Sequence, residues 1–302
     1  MNVLKHALVG NAGTGGIFRD TTLLPEGKIR LAWQVMHNNG NASDAKNVDS
    51  ASMNTNSMRS LTDTQRTNFI NFVNSLTPRN GTPSHLMFQQ ADDYMRRTLS
   101  ANSPWASKPG TTGAPYLACR RSYHIMMTDG RWNGTASGGS QDDNTQNLTL
   151  PDGTIYGSTS TASRPSNKLY SDSFSDTLAD WAFKSWAVPA QTSGMTGTMQ
   201  PTADYRKAPA TENFATPTAP ASAVLDRYWN PRYNPATWPH MVTYTIGFSQ
   251  MASTWPGANA IIKPSQTVPF GYDGSFPNFV TGTQTWPRMD AENKRSLDLW
   301  HA

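Results

Sequence analysis

Residues 120–133 run Arg-Arg-Ser-Tyr-His-Ile-Met-Met-Thr-Asp-Gly-Arg-Trp-Asn. A short apolar run, Tyr123 to Met127, stops abruptly at Thr128-Asp129-Gly130. A run of that length bounded by a turn signal fits a strand buried on both faces, as in a parallel sheet. The polar residues after it then lie at the strand's carboxyl end, where open α/β sheets place their ligands. Gly130 lets the chain turn away sharply and leaves the Asp129 carboxylate in that crevice. The same Asp-Gly pair is also a common turn former. The partners that Asp129 finds elsewhere in the chain decide between the two roles.

The composition points to a modest core with long, polar, aromatic-bearing loops. Apolar residues make up 36% of the 302 positions and charged residues only 15%, and the mean hydropathy is −0.58. Uncharged polar residues fill the difference, while 10 Trp and 10 Tyr supply core anchors that a charge-rich disordered chain lacks. Surface and secreted proteins share this style. The net charge of +4 comes from 25 basic and 21 acidic residues spread along the chain. No Lys/Arg cluster forms a nucleic-acid footprint, so nucleic acid is not an expected partner. The single cysteine, Cys119, has no internal disulfide partner. It is either a small buried hydrophobe or half of a bridge to another chain. No stretch is long and apolar enough for a transmembrane helix. The N-terminus lacks a secretory signal pattern, since Lys5 and His6 interrupt a short helical repeat.

In chain order, the pattern predicts a helix ending near Gly10, with Val3, Leu4, Ala7 and Leu8 on one face, then a strand over Lys28–Met36. Asn38–Ser60 carries no period and is predicted as a loop. A helix is expected over Thr62–Leu76. Another follows Asn80-Gly81, with Thr82 at the N-cap and Pro83 in the first turn, where its missing N–H costs nothing. A Pro/Gly/Ser/Thr linker, Ser100–Pro115, leads to the strand at Tyr123. Further expectations are a turn at Pro151-Asp152-Gly153, a helix over Ser171–Ala187, a strand over Met241–Phe248 and a last helix over about Asp290–His301. This alternation predicts an α/β fold with a doubly wound, mostly parallel sheet in a single domain over 1–302, interrupted by insertions at about 133–165, 188–236 and 249–286. The order begins with a helix, so the first strand of such a sheet is missing.

A hydroxyl at Thr82 and a carboxylate at Asp129, if they converge at the sheet's rim, are hard ligands. They suit Mg²⁺, Ca²⁺ or Mn²⁺ and not zinc. Gly81-Thr82-Pro83 followed by Thr128-Asp129-Gly130 resembles the von Willebrand factor A fold, whose metal-ion-dependent adhesion site takes a Thr, an Asp and an Asp-x-Ser-x-Ser triplet. Longer segments resemble the PilC/PilY family of type IV pilus tip adhesins. They are Cys119–Asn133, Leu150–Tyr156, Ser175–Trp186, Asn234–Phe248 and Leu297–Ala302. The resemblance runs in order over most of the chain. It implies a non-enzymatic adhesion or assembly module at the bacterial surface. The implied partners are a host or surface receptor, minor pilins and the β-propeller of a full-length adhesin. The Asp-x-Ser-x-Ser triplet occurs nowhere here, and the chain looks truncated at both ends relative to the family. Thr82 and Asp129 are therefore the metal-site residues the resemblance carries over, and a divalent cation (Mg or Ca) is expected to bind them weakly or not at all.

Other features point elsewhere. Asp142-Asp143-Asn144-Thr145 has a calcium loop's composition without a closing Glu. His85, His124 and His240 lack zinc spacing, and His124 is expected within the buried strand. Trp181, Trp186, Trp229 and Trp238 are expected in a core. The rival function is an extracellular carbohydrate-active or metal-assisted hydrolase. It needs a second carboxylate beside Asp129, with Asp93 and Asp180 as the candidates. The remaining alternative is a structural fragment with no retained site.

Overall fold

A computed structural model gives the fold and describes residues 2–11, 13–36, 56–77, 81–128, 132–133, 148–157, 169–215, 222–247, 276–291 and 295–302. The chain packs as two compact units, Met1–Ala118 with Gln191–Thr196, and Cys119–Ala190 with Gly197–Ala302.

The first unit is built on three helices. Helix α1, Asn2–Val9, buries Val9 and leaves Val3 and Ala7 exposed, so its inward face is shifted from the predicted one. Gly10 follows with φ +55°, and a Cβ there would stand 2.0 Å from the Thr14 carbonyl oxygen, so the turn needs glycine. Helix α2, Asp63–Ser75, starts on Thr62, whose hydroxyl accepts from Gln65 N at 3.3 Å. Phe69 and Val73 from α2 pack with Val9 and Trp33, and Phe69 meets Phe18 with ring centroids 4.4 Å apart. The buried Arg66 donates to the carbonyls of Phe18 and Leu24 at 2.8 and 2.5 Å, fixing the loop between α1 and α2. Of the strand predicted over Lys28–Met36, only Arg30–Leu31 pairs, with Arg59–Ser60.

Helix α3, Ser84–Arg96, buries Met87, Phe88, Ala91, Tyr94 and Met95. Its N-cap position is taken by Pro83, one residue later than predicted. The ring of Pro83 disfavours helical backbone at the residue before it, which moves Thr82 outside the helix. The segment predicted as a linker, Ser100–Pro115, is packed. Trp105 is fully buried and its indole N–H donates to Met95 O at 2.8 Å. Gln191–Thr196 joins this unit through Gln191 Nε2 to Arg97 O (2.8 Å), Thr196 N to Tyr116 O (2.7 Å) and Ala118 N to Thr196 O (2.9 Å).

The second unit is mixed α/β. Strand β1 spans Ser122–Thr128. A hairpin then pairs Leu148–Thr149 with Ile155–Tyr156 around Pro151-Asp152-Gly153. Helix α4, Leu178–Ala187, starts later than the predicted Ser171, because Thr177 and Asp180 form a capping box that sets the first turn. Helix α5, Ala203–Lys207, and the antiparallel strands β2, Thr211–Asn213, and β3, Val224–Asp226, lie within the predicted second insertion, about 188–236. Strand β4, Met241–Gly247, runs parallel to β1 in the register Met241↔Ser122 through Gly247↔Thr128. Helix α6, Phe276–Thr281, falls within the predicted third insertion. Helix α7, Arg295–His301, closes the chain. Trp229 and Trp238 sit, as expected, in one core with Trp286, Phe214, Phe276 and Phe279, and Trp186 packs against it.

Among the described residues the β1–β4 pair is covered on one face only, which differs from the expectation of a strand buried on both. Met126, Thr128 and Met241 face inward beneath α4 and α7, and the Thr245 hydroxyl donates to Leu299 O at 2.7 Å. On the other face Tyr123, Ile125, Tyr244 and Ile246 are 54, 60, 55 and 42% exposed. The apolar run signalled burial on both sides because its alternation is hidden when both faces carry apolar side chains. His124 is half-buried on the covered face, and Cys119 is exposed, not the buried hydrophobe offered as one alternative.

Candidate functional site at the carboxyl edge of the parallel pair

The described residues on either side of Asp129-Gly130-Arg131 are buried. Thr128, the last strand residue, is 3% exposed, and Trp132, where the description resumes, is 1% exposed. Asp129, Gly130 and Arg131 between them lie outside the described residues, as does the Asp142–Thr145 loop.

What holds Trp132 is a buried carboxylate. Its indole Nε1 donates to Asp298 Oδ2 at 2.5 Å, and the Arg295 guanidinium lies over its ring at 4.0 Å while donating to its carbonyl at 3.2 Å. Asp298 also accepts from the first two amides of α4, Leu178 N at 2.8 Å and Ala179 N at 2.9 Å. The third amide, Asp180 N, is capped by the Thr177 hydroxyl, and the N-cap amide, Thr177 N, donates to Asp180 Oδ2 at 2.8 Å. All four amides that a helix start leaves without an internal partner are thus satisfied. A carboxylate at a helix N-terminus is also favoured by the helix dipole. Burial pushes the Asp298 carboxyl above the ordinary range, opposed by the two amides, the charge of His301 and the Trp132 indole. The result is a clamp in which α7 ties Trp132 to the start of α4.

A second polar hub positions the loop before β4. His240 is 2% exposed, with Nδ1 2.7 Å from the Trp238 carbonyl and Nε2 2.7 Å from Asn234 Nδ2. A carbonyl only accepts, so Nδ1 carries the proton and Nε2 takes the amide hydrogen. Burial lowers the pKa to about 4; the bond to Trp238 raises it and the charge of Arg121 lowers it further.

The predicted site residues stand as follows. Thr82 is half-buried just before α3, and its carbonyl accepts from Ser84 N at 2.9 Å. Asp93 is exposed on α3, while Asp180 is engaged in its capping box, with Thr177 N and Oγ1 at 2.8 and 2.9 Å from its Oδ2. Among the described residues no three His, Cys, Asp or Glu side chains gather as a metal-holding group. Sequence reasoning passed over Asp298, Trp132, Asp172 and His301. Arg295, Asp298 and His301 recur every third residue, and that polar stripe was the available signal.

Along 285 residues, 92% of this chain, the sequence is 34% identical to the type IV pilus biogenesis factor PilY1 of Pseudomonas aeruginosa strain PAO1. Over that region the chain belongs to the PilC/PilY family. The PilY1 factors of strains PAK and UCBPP-PA14 are 34 and 30% identical over 287 and 288 residues. The chain spans about a fifth of these relatives, 21% of the length of each. No family model matches the PilC/PilY-family chain, and no solved structure does. Within the described residues no helix is long and apolar enough to cross a membrane.

Proposed function

We propose that this chain is a non-enzymatic adhesion and assembly module of a type IV pilus tip protein, acting at the bacterial surface on a von Willebrand factor A-like domain. The observation that carries this reading is the similarity to PilY1 factors along 92% of the chain. The parallel β1–β4 pair supports it, with the Thr-Asp-Gly sequence beginning at the carboxyl end of β1 and buried residues, Thr128 and Trp132, on either side of Asp129-Gly130-Arg131. Minor pilins, a surface receptor and the rest of a full-length adhesin are the partners in this reading. A purified chain that retains neither minor pilins nor a receptor-bearing surface in a binding assay would overturn it.

The metal part of the proposal concerns Thr82 and Asp129. Two oxygen donors leave most of a divalent cation's shell to water, so Mg²⁺ or Ca²⁺ is held no tighter than about 10⁻⁴ M. Calorimetric titration checks this. Micromolar affinity that disappears in Asp129→Ala would show a fuller site.

A further inference from the structure

His301, at the end of α7, has one ring nitrogen at hydrogen-bond distance from a carbonyl and the other within ion-pair distance of a carboxylate. Nε2 stands 2.7 Å from the Tyr170 carbonyl oxygen, and a carbonyl only accepts, so this nitrogen carries a hydrogen. Nδ1 lies 3.4 Å from Asp172 Oδ2, in a pair whose side chains are 2 and 0% exposed. The other carboxylate oxygen, Asp172 Oδ1, already accepts from Phe174 N at 2.6 Å. A neutral ring with its hydrogen on Nε2 would turn the Nδ1 lone pair onto an anionic oxygen away from water, which is costly. Trp286 stacks on the ring with centroids 4.3 Å apart and planes at 16°, an aromatic face that favours a cation.

We propose that His301 is held as an imidazolium between Asp172 and the Tyr170 carbonyl, and that this buried proton latches α7 onto the second unit. The charged groups around it favour that form. Asp298 lies one turn back on the same helix and interacts with the His301 charge. From α4, Asp180 is engaged in its capping box and Lys184 lies over the Trp181 ring at 4.4 Å. Arg288 pairs with Asp290 at 3.2 Å, and Arg295 covers Trp132. The Tyr170 hydroxyl donates to the Trp229 carbonyl, and β4 presents Met241, Thr243 and Thr245, none of them an acid or base, on its covered face. Among the described residues, Asp172 lies within ion-pair distance of the ring and Asp298 acts on its charge, while Lys184, Arg288 and Arg295 are engaged elsewhere. Loss of the proton to solvent at alkaline pH leaves a lone pair against Asp172 and loosens α7, together with its hold on Trp132. The latch uses neither Thr82 nor Asp129 and stands apart from the adhesion reading.

Nitrogen NMR of the 302-residue chain labelled at histidine tests this. The expected result at pH 7 is a His301 ring with hydrogen on both nitrogens. Its loss on raising the pH is accompanied by increased Trp286 fluorescence, because a stacked imidazolium quenches indole more than a neutral ring does. His301→Gln, which still donates to Tyr170, removes the fluorescence transition. Asp172→Asn weakens proton affinity at least tenfold. A neutral His301 ring at pH 7 in the unsubstituted chain overturns the proposal, and so does an Asp172→Asn titration that does not move. The ring spectrum of the unsubstituted chain decides alone if either variant fails to fold.

Discussion

The Asp298 carboxylate receives Leu178 N, Ala179 N and the Trp132 indole in a site closed to solvent. Removing one partner from such a set leaves buried donors unmatched, which costs more than the net worth of the bonds. Asp298→Ala is expected to destabilise the second unit by about 3 kcal/mol or more, and Trp132→Phe, which deletes one donor and keeps the ring, by ~1–2 kcal/mol. Urea unfolding of both variants measures the difference; equal losses would show that the carboxylate serves the indole alone. His240 gives a pH dependence with a definite sign. Its pKa is about 4 in the fold against an ordinary 6.5. Between these values the unfolded chain binds the proton and the folded chain does not, so stability rises with pH. The contribution is complete above about pH 6.5 and is lost as the pH falls toward 4, amounting at most to ~3 kcal/mol. His240→Gln should flatten stability across that window. At this scale the sequence was a partial guide. A Thr followed three positions later by Asp, as at Thr177 and Asp180, is a legible capping signal. A lone Asp among Leu297, Leu299 and Trp300 is not, because its donors come from residues more than a hundred positions away.

Helices and strands with strong local signals came through, and those defined by distant partners did not. Met241–Gly247 and Ser122–Thr128 were legible from β-branched and apolar runs, and α2 from its Thr62 cap. Short elements such as α5, β2 and β3 sit in Pro- and Thr-rich sequence where no period can develop over three to five residues. The last helix was legible as an element, but the partners of its Arg295, Asp298 and His301 were not, since each lies far away in sequence. The bare face of the β1–β4 pair has a measurable consequence. Ile125→Lys and Ile246→Lys replace side chains that are 60 and 42% exposed. Such changes are expected to alter stability by no more than ~0.5 kcal/mol and to reduce binding of a hydrophobic dye, because the apolar patch is broken. A loss several times larger on thermal unfolding would mean that the face is covered in solution.

At the scale of the whole chain, the family was legible in ordered segments, while the candidate metal pair was not resolved by reasoning from sequence. Thr82 is placed by the local stereochemistry of Pro83, whereas Asp129 lies outside the described residues. The division into two units has its own test. A fragment ending at Ala118 lacks Gln191–Thr196, so the Met95 and Arg97 carbonyls lose the Gln191 amide and Ala118 N loses its acceptor. Hydrogen exchange should find Ala118 N less protected in that fragment than in a chain continued through Thr196. Because six residues beginning at position 191 complete a unit whose main body ends at 118, a ribosome must add 78 more residues (196 minus 118) before that unit can finish. At about 5–20 residues per second the wait is several seconds, during which the newborn N-terminal half stands unsealed and within reach of chaperones.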